Sequence, residues 1–375
     1  MAKNKQIAAL NEIGQSVWID NLSRELLSSG ELNQLTDQGV SGLTSNPTIF
    51  KQAIADTNSY DAEIVDLAKK GMDTEAICEE LMVREVGQAA DMMKGVYDRT
   101  GGGDGHVSIE VSPYLANDTA GTTAAAERLW GRLNRPNIMI KIPATPAGIP
   151  AIYSALSKGI NVNVTLIFSK EVYGQVANAH IKAISERVAA NKDVKTLASV
   201  ASFFVSRVDA IHEKSFDELV KQGKANAADK DSFLGKIGIA NSKIAYEEFG
   251  RLYGSDSFKA LAQKGARVQR PLWASTGTKN PKFSATLYVE ELAGKDTVNT
   301  MPPPTLKALL SGGYIGPKLH SGMSDAHALI AKVKQLGMPF EKLLVELQDV
   351  GVKLFSDSYK DLLDSITKKR QALKA

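Results

Sequence analysis

Apolar and polar positions alternate with period two in several short stretches of this chain, and longer stretches with helical spacing separate them. In "VSIEVS" (107–112), Val107, Ile109 and Val111 share one face and Ser108, Glu110 and Ser112 the other. "NIMIKI" (137–142) sets Ile138, Ile140 and Ile142 against Met139 and Lys141. "NVNVTLI" (161–167) sets Val162, Val164 and Leu166, continuing to Phe168, against Asn161, Asn163 and Thr165. "QSVWID" (15–20) sets Val17 and Ile19 against Ser16, Trp18 and Asp20. Further strands are predicted at 39–46, 197–202, 268–275 and 295–300. Helices are predicted at 22–31, 74–95, 120–131, 149–158, 171–189 and 210–221.

Strands and helices in alternation imply βαβ units and a parallel sheet. Eight strands point to a closed (β/α)₈ TIM barrel, an α/β fold. An open doubly wound sheet is the alternative, but its first strand normally ends in a glycine-rich turn, and here it runs into "DNLSRELL". The gaps of roughly sixty residues after the second and sixth strands are long enough to hold extra helices. No linker or repeat marks a second domain, so residues 1–375 are read as one barrel domain with helices from about 304–375 packed on it.

In a barrel the apolar faces meet the outer helices and the other faces point along the axis. Asp20, Glu110, Lys141, Asn163 and Thr165 then converge near the strands' C-terminal ends, where barrel active sites are built. Lys141 is the most telling, because an ammonium within "IMIKIP" must pair, snorkel to solvent or shed its proton. A neutral, buried amine is a nucleophile toward ketones. An amine and two carboxylates suit imine chemistry: the amine condenses with a ketone, and a carboxylate, Asp20 or Glu110, takes the hydroxyl proton as a C–C bond breaks. Asn46 and Asn163 offer amides for sugar hydroxyls, and Thr165 offers a hydroxyl for a water. Enolisation by a carboxylate uses the same inventory with the lysine as electrostatic support.

Composition narrows the partners. The net charge of +3 in 375 residues leaves no concentrated basic patch for nucleic acid or membrane, and "TKKRQ" (367–371) reads as a solvated helix end. Cys78 is the only cysteine, which excludes an intrachain disulfide and favours a cytoplasmic setting. "MAKNKQIAALNEIG" lacks the apolar core of a secretory signal. No H-E-x-x-H pair or other evident metal ligand set occurs among the five histidines, and no cofactor motif is complete. "RTGGGDGH" (99–106) lacks the order of a phosphate-cradling loop and reads as a flexible turn.

"GLTSNPTIF", "SIEVSP", "IMIKIPAT", "GINVNVTLIFS" and "SFFVSRVD" occur in an order and spacing that closely resemble transaldolases, with "DTVNTMPP" similar to the longer bacterial branch. The resemblance runs from Ile13 into the C-terminal helices. It implies a cofactor-free enzyme of the non-oxidative pentose phosphate pathway, acting on phosphorylated ketoses and aldoses. Such an enzyme would move a dihydroxyacetone unit from sedoheptulose 7-phosphate to glyceraldehyde 3-phosphate, giving erythrose 4-phosphate and fructose 6-phosphate. Carried over by residue, Lys141 is the Schiff-base lysine, Asp20 the acid/base, Glu110 the glutamate of the third strand, and Thr165 the threonine on the catalytic water. Asn46 and Asn163 bind the donor, and Ser202 and Arg207 lie toward the phosphate.

Two departures stand out. Phe203 and Ser206 replace a proline and a glycine usual in the family. After the seventh strand, "WASTGTKNPK" has no arginine for the phosphate, and Lys279 is the nearest cation. In related fructose 6-phosphate aldolases a tyrosine stands where this chain has Phe204, so Phe204 favours transfer over release of free dihydroxyacetone. Members of the family occur as monomers and homodimers, and the sequence leaves that open.

Overall fold

Eight short strands close on themselves in chain order, every neighbouring pair parallel, with the last beside the first. The computed structural model describes residues 3–55, 57–313 and 315–372. The strands are β1 (Gln15–Asp20), β2 (Gly42–Thr44), β3 (His106–Glu110), β4 (Ile138–Pro143), β5 (Val162–Ile167), β6 (Ser199–Phe204), β7 (Arg270–Ala274) and β8 (Thr297–Met301). The expected (β/α)₈ barrel is therefore present, with helices around it.

Strand parity separates two hydrophobic cores. Val17, Ile19, Val107, Ile109, Ile138, Ile140, Ile142, Val162 and Val164 pack outward against the helices. Trp18, Met139, Val200, Leu272 and Val298 fill the barrel interior. Trp18 fits only because its neighbour in register is Gly42, where a Cβ would lie 2.4 Å from the indole ring.

The structure departs from the predicted pattern where local capping wins. The strand expected at 39–46 shrinks to three residues. Gly39 ends the preceding helix Glu31–Gln38 at φ 112°, and Asn46 caps the following one, Pro47–Ala55, by accepting from the Ile49 N–H at 3.0 Å. The helix expected at 22–31 is only Arg24–Ser28, and a second helix that was not expected, Glu31–Gln38, follows after Gly30 at φ 81°. In β5 the alternation breaks at Leu166, whose φ of 59° accompanies a register shift between Val164 and Ile167. Ile167, not Leu166, joins the outer core, and Leu166 and Phe168 turn to the interior.

The long gaps hold helices. Asp61–Lys69 and Thr74–Arg99 follow β2, after Pro47–Ala55. Ser206–Lys221, Ala227–Phe233, Ile237–Tyr253 and Asp256–Ala262 follow β6. After β8 come Pro303–Ser311, Met323–Gln335 and the 33-residue Phe340–Ala372, which crosses the barrel's C-terminal end against Pro47–Ala55, Thr74–Arg99 and Ser206–Lys221. Its basic end is not simply solvated. Lys369 Nζ donates to Thr57 O and Asp61 Oδ1, and Arg370 Nη1 donates to Thr74 Oγ1. No helix among the described residues is long and apolar enough to cross a membrane.

Candidate active site

The C-terminal mouth of the barrel opens into a cavity of about 500 Å³. Asp20, Asn46, Lys141, Thr165, Ser202, Phe204 and Arg207 line it, together with Thr44, Ser275, Thr300, Pro302 and Phe355. Parallel pairing explains the grouping. Glu110 is in register with Lys141, and Lys141 with Asn163, so three chemically distinct side chains share one rung of the interior.

Lys141, 5% exposed, is the centre. Its Nζ lies 3.2 Å from Glu110 Oε2, an ion pair rather than an aligned hydrogen bond, since that oxygen has no hydrogen-bond donor. The same Nζ donates to Ser45 O at 3.1 Å and lies 5.6 Å from the centre of the Phe355 ring. Burial pushes the Glu110 carboxyl up, against the pull of Lys141. Burial likewise raises Asp20, opposed by Lys141, by the Thr44 hydroxyl and by Arg207. Thr44 Oγ1 donates to Asp20 Oδ1 at 2.7 Å and so accepts from Thr300 Oγ1, also at 2.7 Å, which fixes the carboxylate at the end of β1.

Thr165 Oγ1, Glu110 Oε2 and Arg207 Nη1, all at this end, have no hydrogen-bond partner among the described residues. Burial pulls the Arg207 guanidinium down against Asp20 and Glu110. The guanidinium lies between two rings, 5.1 Å from Phe204 and 5.8 Å from Phe355. Buried polar atoms left unpaired cost free energy unless a ligand or water completes them, and these atoms are free to take up such a partner.

Two expected binding residues stand elsewhere. Asn163 is fully buried and does not line the cavity. Its Nδ2 donates to Ser108 Oγ at 3.0 Å and its Oδ1 accepts from Ser202 Oγ at 2.7 Å, which places it as the support of Ser202. Lys279 lies in a neighbouring groove with Lys214, Leu347 and Leu354, joined to the mouth through Arg207. Sequence reasoning missed Thr44, Thr300 and Phe355. Thr44 sits inside the quoted "GLTSNPTIF" and is in register with Asp20, a signal that could have been read. Phe355 gives none, because helical periodicity does not say which end of a barrel a helix covers. Among the described residues, no group of three or more His, Cys, Asp or Glu is arranged to hold a metal ion.

Fold and mouth together define a (β/α)₈ barrel centred on a buried lysine–carboxylate pair. The family described as Transaldolase/Fructose-6-phosphate aldolase matches residues 17–366. Full-length similarity extends to Transaldolase 1 of Streptomyces coelicolor, 44% identical over 361 residues (96% of this chain, 93% of that one). Transaldolase of Mycolicibacterium smegmatis is 42% identical over 367 residues, and Transaldolase 2 of Nostoc punctiforme 40% over 370, each covering 97% of both chains. The chain belongs to the transaldolase/fructose-6-phosphate aldolase family.

Proposed function

We propose that this chain is a cytoplasmic transaldolase. It carries a dihydroxyacetone unit from sedoheptulose 7-phosphate to glyceraldehyde 3-phosphate and yields erythrose 4-phosphate and fructose 6-phosphate in the non-oxidative pentose phosphate pathway. The observation that carries the reading is the Lys141 amine in the cavity lining, 3.2 Å from a carboxylate that burial makes more basic than usual.

Lys141 hands a proton to Glu110 and attacks C2 of the ketose. The carbinolamine hydroxyl is protonated through a water between Glu110 and the Thr165 hydroxyl, and it leaves as water to give the iminium. Asp20, raised by burial and steadied by Thr44, takes the proton of the C4 hydroxyl as C3–C4 breaks. The bonding pair moves into the iminium to form an enamine, and erythrose 4-phosphate departs. The enamine carbon attacks the aldehyde of glyceraldehyde 3-phosphate, Asp20 returns its proton to the new alkoxide, and water hydrolyses the iminium. Asn46 holds donor hydroxyls, and Ser202, with Asn163 behind it, lies toward the phosphate. Arg207 meets the phosphate end, with Lys279 further out along the groove.

Incubation with fructose 6-phosphate, with and without erythrose 4-phosphate, tests the reading. Sedoheptulose 7-phosphate forming only with the acceptor supports transfer, with Phe204 at the mouth in place of a phenol. Equally fast consumption of fructose 6-phosphate without acceptor marks an aldolase that releases dihydroxyacetone.

A further inference from the structure

The long helix Phe340–Ala372 is fastened across the barrel mouth by one face. Gln348 Nε2 donates to Ala144 O at 2.9 Å and to Leu166 O at 3.1 Å, carbonyls at and beyond the ends of β4 and β5. One turn on, Gly351 lets the helix approach: a Cβ there would lie 2.9 Å from Leu166 Cδ2 and 3.7 Å from Arg207 Nη1. One turn further, Phe355 enters the cavity, 4% exposed. Beyond it, Ser358 Oγ accepts from Thr48 Oγ1 at 2.9 Å. Gln348 and Ser358 therefore hold the helix on either side of Phe355. Its ring faces Lys141 Nζ at 5.6 Å and the Arg207 guanidinium at 5.8 Å. The ring belongs to the interior hydrophobic cluster, and it also borders the cavity beside the nucleophile, so it is an apolar wall of the site as well as a packing contact.

We propose that Phe355 is a specificity-determining residue that keeps solvent from the three-carbon enamine on Lys141 and so favours transfer over release. The inference rests on the imine reading above. The enamine has two fates. In transfer, its C3 electron pair bonds to the carbon of an incoming aldehyde. In release, C3 takes a proton supplied by water, the nitrogen lone pair restores the iminium, water adds to C2, and the C2–N bond breaks with its electrons going to nitrogen. That second path frees dihydroxyacetone and the amine. An apolar ring against the enamine slows proton delivery to C3 while leaving room for the aldehyde, which enters from the open cavity. Iminium hydrolysis is common to both paths, so any effect of the ring on that step leaves the ratio of products unmoved.

The test is the ratio of dihydroxyacetone released to sedoheptulose 7-phosphate formed from fructose 6-phosphate and erythrose 4-phosphate. It is measured in D₂O, so that enamine protonation leaves one deuterium on released dihydroxyacetone. Phe355→Ala is expected to raise the ratio on the order of tenfold, and Phe355→Leu, which keeps an apolar wall and guards against misfolding of the alanine variant, to restore most of it. A helix-docking role alone lowers both rates in parallel and leaves the ratio fixed. A ratio unchanged within about twofold in both variants, with borohydride still trapping the adduct on Lys141, overturns the role of Phe355. No adduct in the unsubstituted protein during undiminished transfer overturns the imine reading beneath it.

Discussion

The two ends of the barrel each hold a cation and a carboxylate, Lys141–Glu110 at 3.2 Å and Arg270–Asp104 at 3.3 Å, yet they serve opposite ends. At the N-terminal end the pair is saturated. Asp104 accepts from Ser16 Oγ, from Trp18 Nε1 at 2.7 Å, from Ser41 Oγ at 3.1 Å and from Arg270. Arg270 also donates to Ser16 Oγ at 2.7 Å and Gly103 O at 2.9 Å. Arg267 binds Gly101 O and Gly102 O, so the glycine-rich segment expected to be a flexible turn is a tied plug beneath Trp18. At the C-terminal end Thr165 Oγ1 and Arg207 Nη1 lack partners and the Glu110–Lys141 contact is poorly aligned. A saturated polar cluster fixes structure, and an unsaturated one keeps binding capacity for something that is not protein. The difference between plug and site lies in whether the ion pair's own donors and acceptors are spent, since Gln15 Oε1, His106 Nδ1 and Gln269 Oε1 are also buried without partners toward the plug end.

That contrast makes the ends separable by mutation. Lys141→Ala should abolish transfer at any practical detection limit, since no other group supplies the imine, and initial-rate assays check it. Asp20→Asn should lower kcat by roughly 10²–10⁴, the range for a general acid–base group, while fructose 6-phosphate remains trappable on Lys141. Because burial raises Asp20, its ionised form costs stability at neutral pH, so the same variant should unfold at an equal or higher temperature than the unsubstituted protein. Asp104→Ala should do the reverse. Leaving Arg270 without its carboxylate should cost about 3–5 kcal/mol in urea unfolding, with kcat of the folded fraction little changed. Loss of activity without loss of stability in Asp104→Ala would erase the contrast.

A smaller effect sharpens it through a carboxylate that is part of neither ion pair. Asp209 accepts from Gly238 N–H at 2.8 Å and Tyr288 Oη at 2.7 Å, yet burial still pushes it up to about 6. Between about pH 4 and 6 the folded protein therefore holds this proton more tightly than the unfolded chain, and stability falls as pH rises through that window. Relative to Asp209→Asn, the unsubstituted protein should lose up to about 3 kcal/mol across it and change no further above pH 7. A flat difference between the two unfolding curves from pH 4 to 7 would contradict burial as the cause.

Much of this arrangement was legible in the sequence. Period-two alternation in β1, β3, β4 and β5 put Asp20, Glu110, Lys141 and Thr165 on interior positions, and the structure collects them at one end. What alternation could not convey was depth along the axis. Asn163 and Thr165 share a face, yet Thr165 lines the cavity while the Asn163 amide is spent on Ser108 and Ser202. The bulge at Leu166 was hidden because an apolar residue fits either face, and only its left-handed backbone reverses it. Phe355 was illegible for another reason: its role comes from where a helix lands nearly two hundred residues beyond β5, a tertiary contact that local pattern does not encode.

The central claim is that the Lys141 amine bonds covalently to the donor ketone. Borohydride reduction during turnover of fructose 6-phosphate, followed by peptide mass analysis, reads it directly. The account predicts a reduced three-carbon adduct on the peptide carrying Lys141, absent in Lys141→Ala. No adduct on any peptide while transfer proceeds undiminished would contradict it.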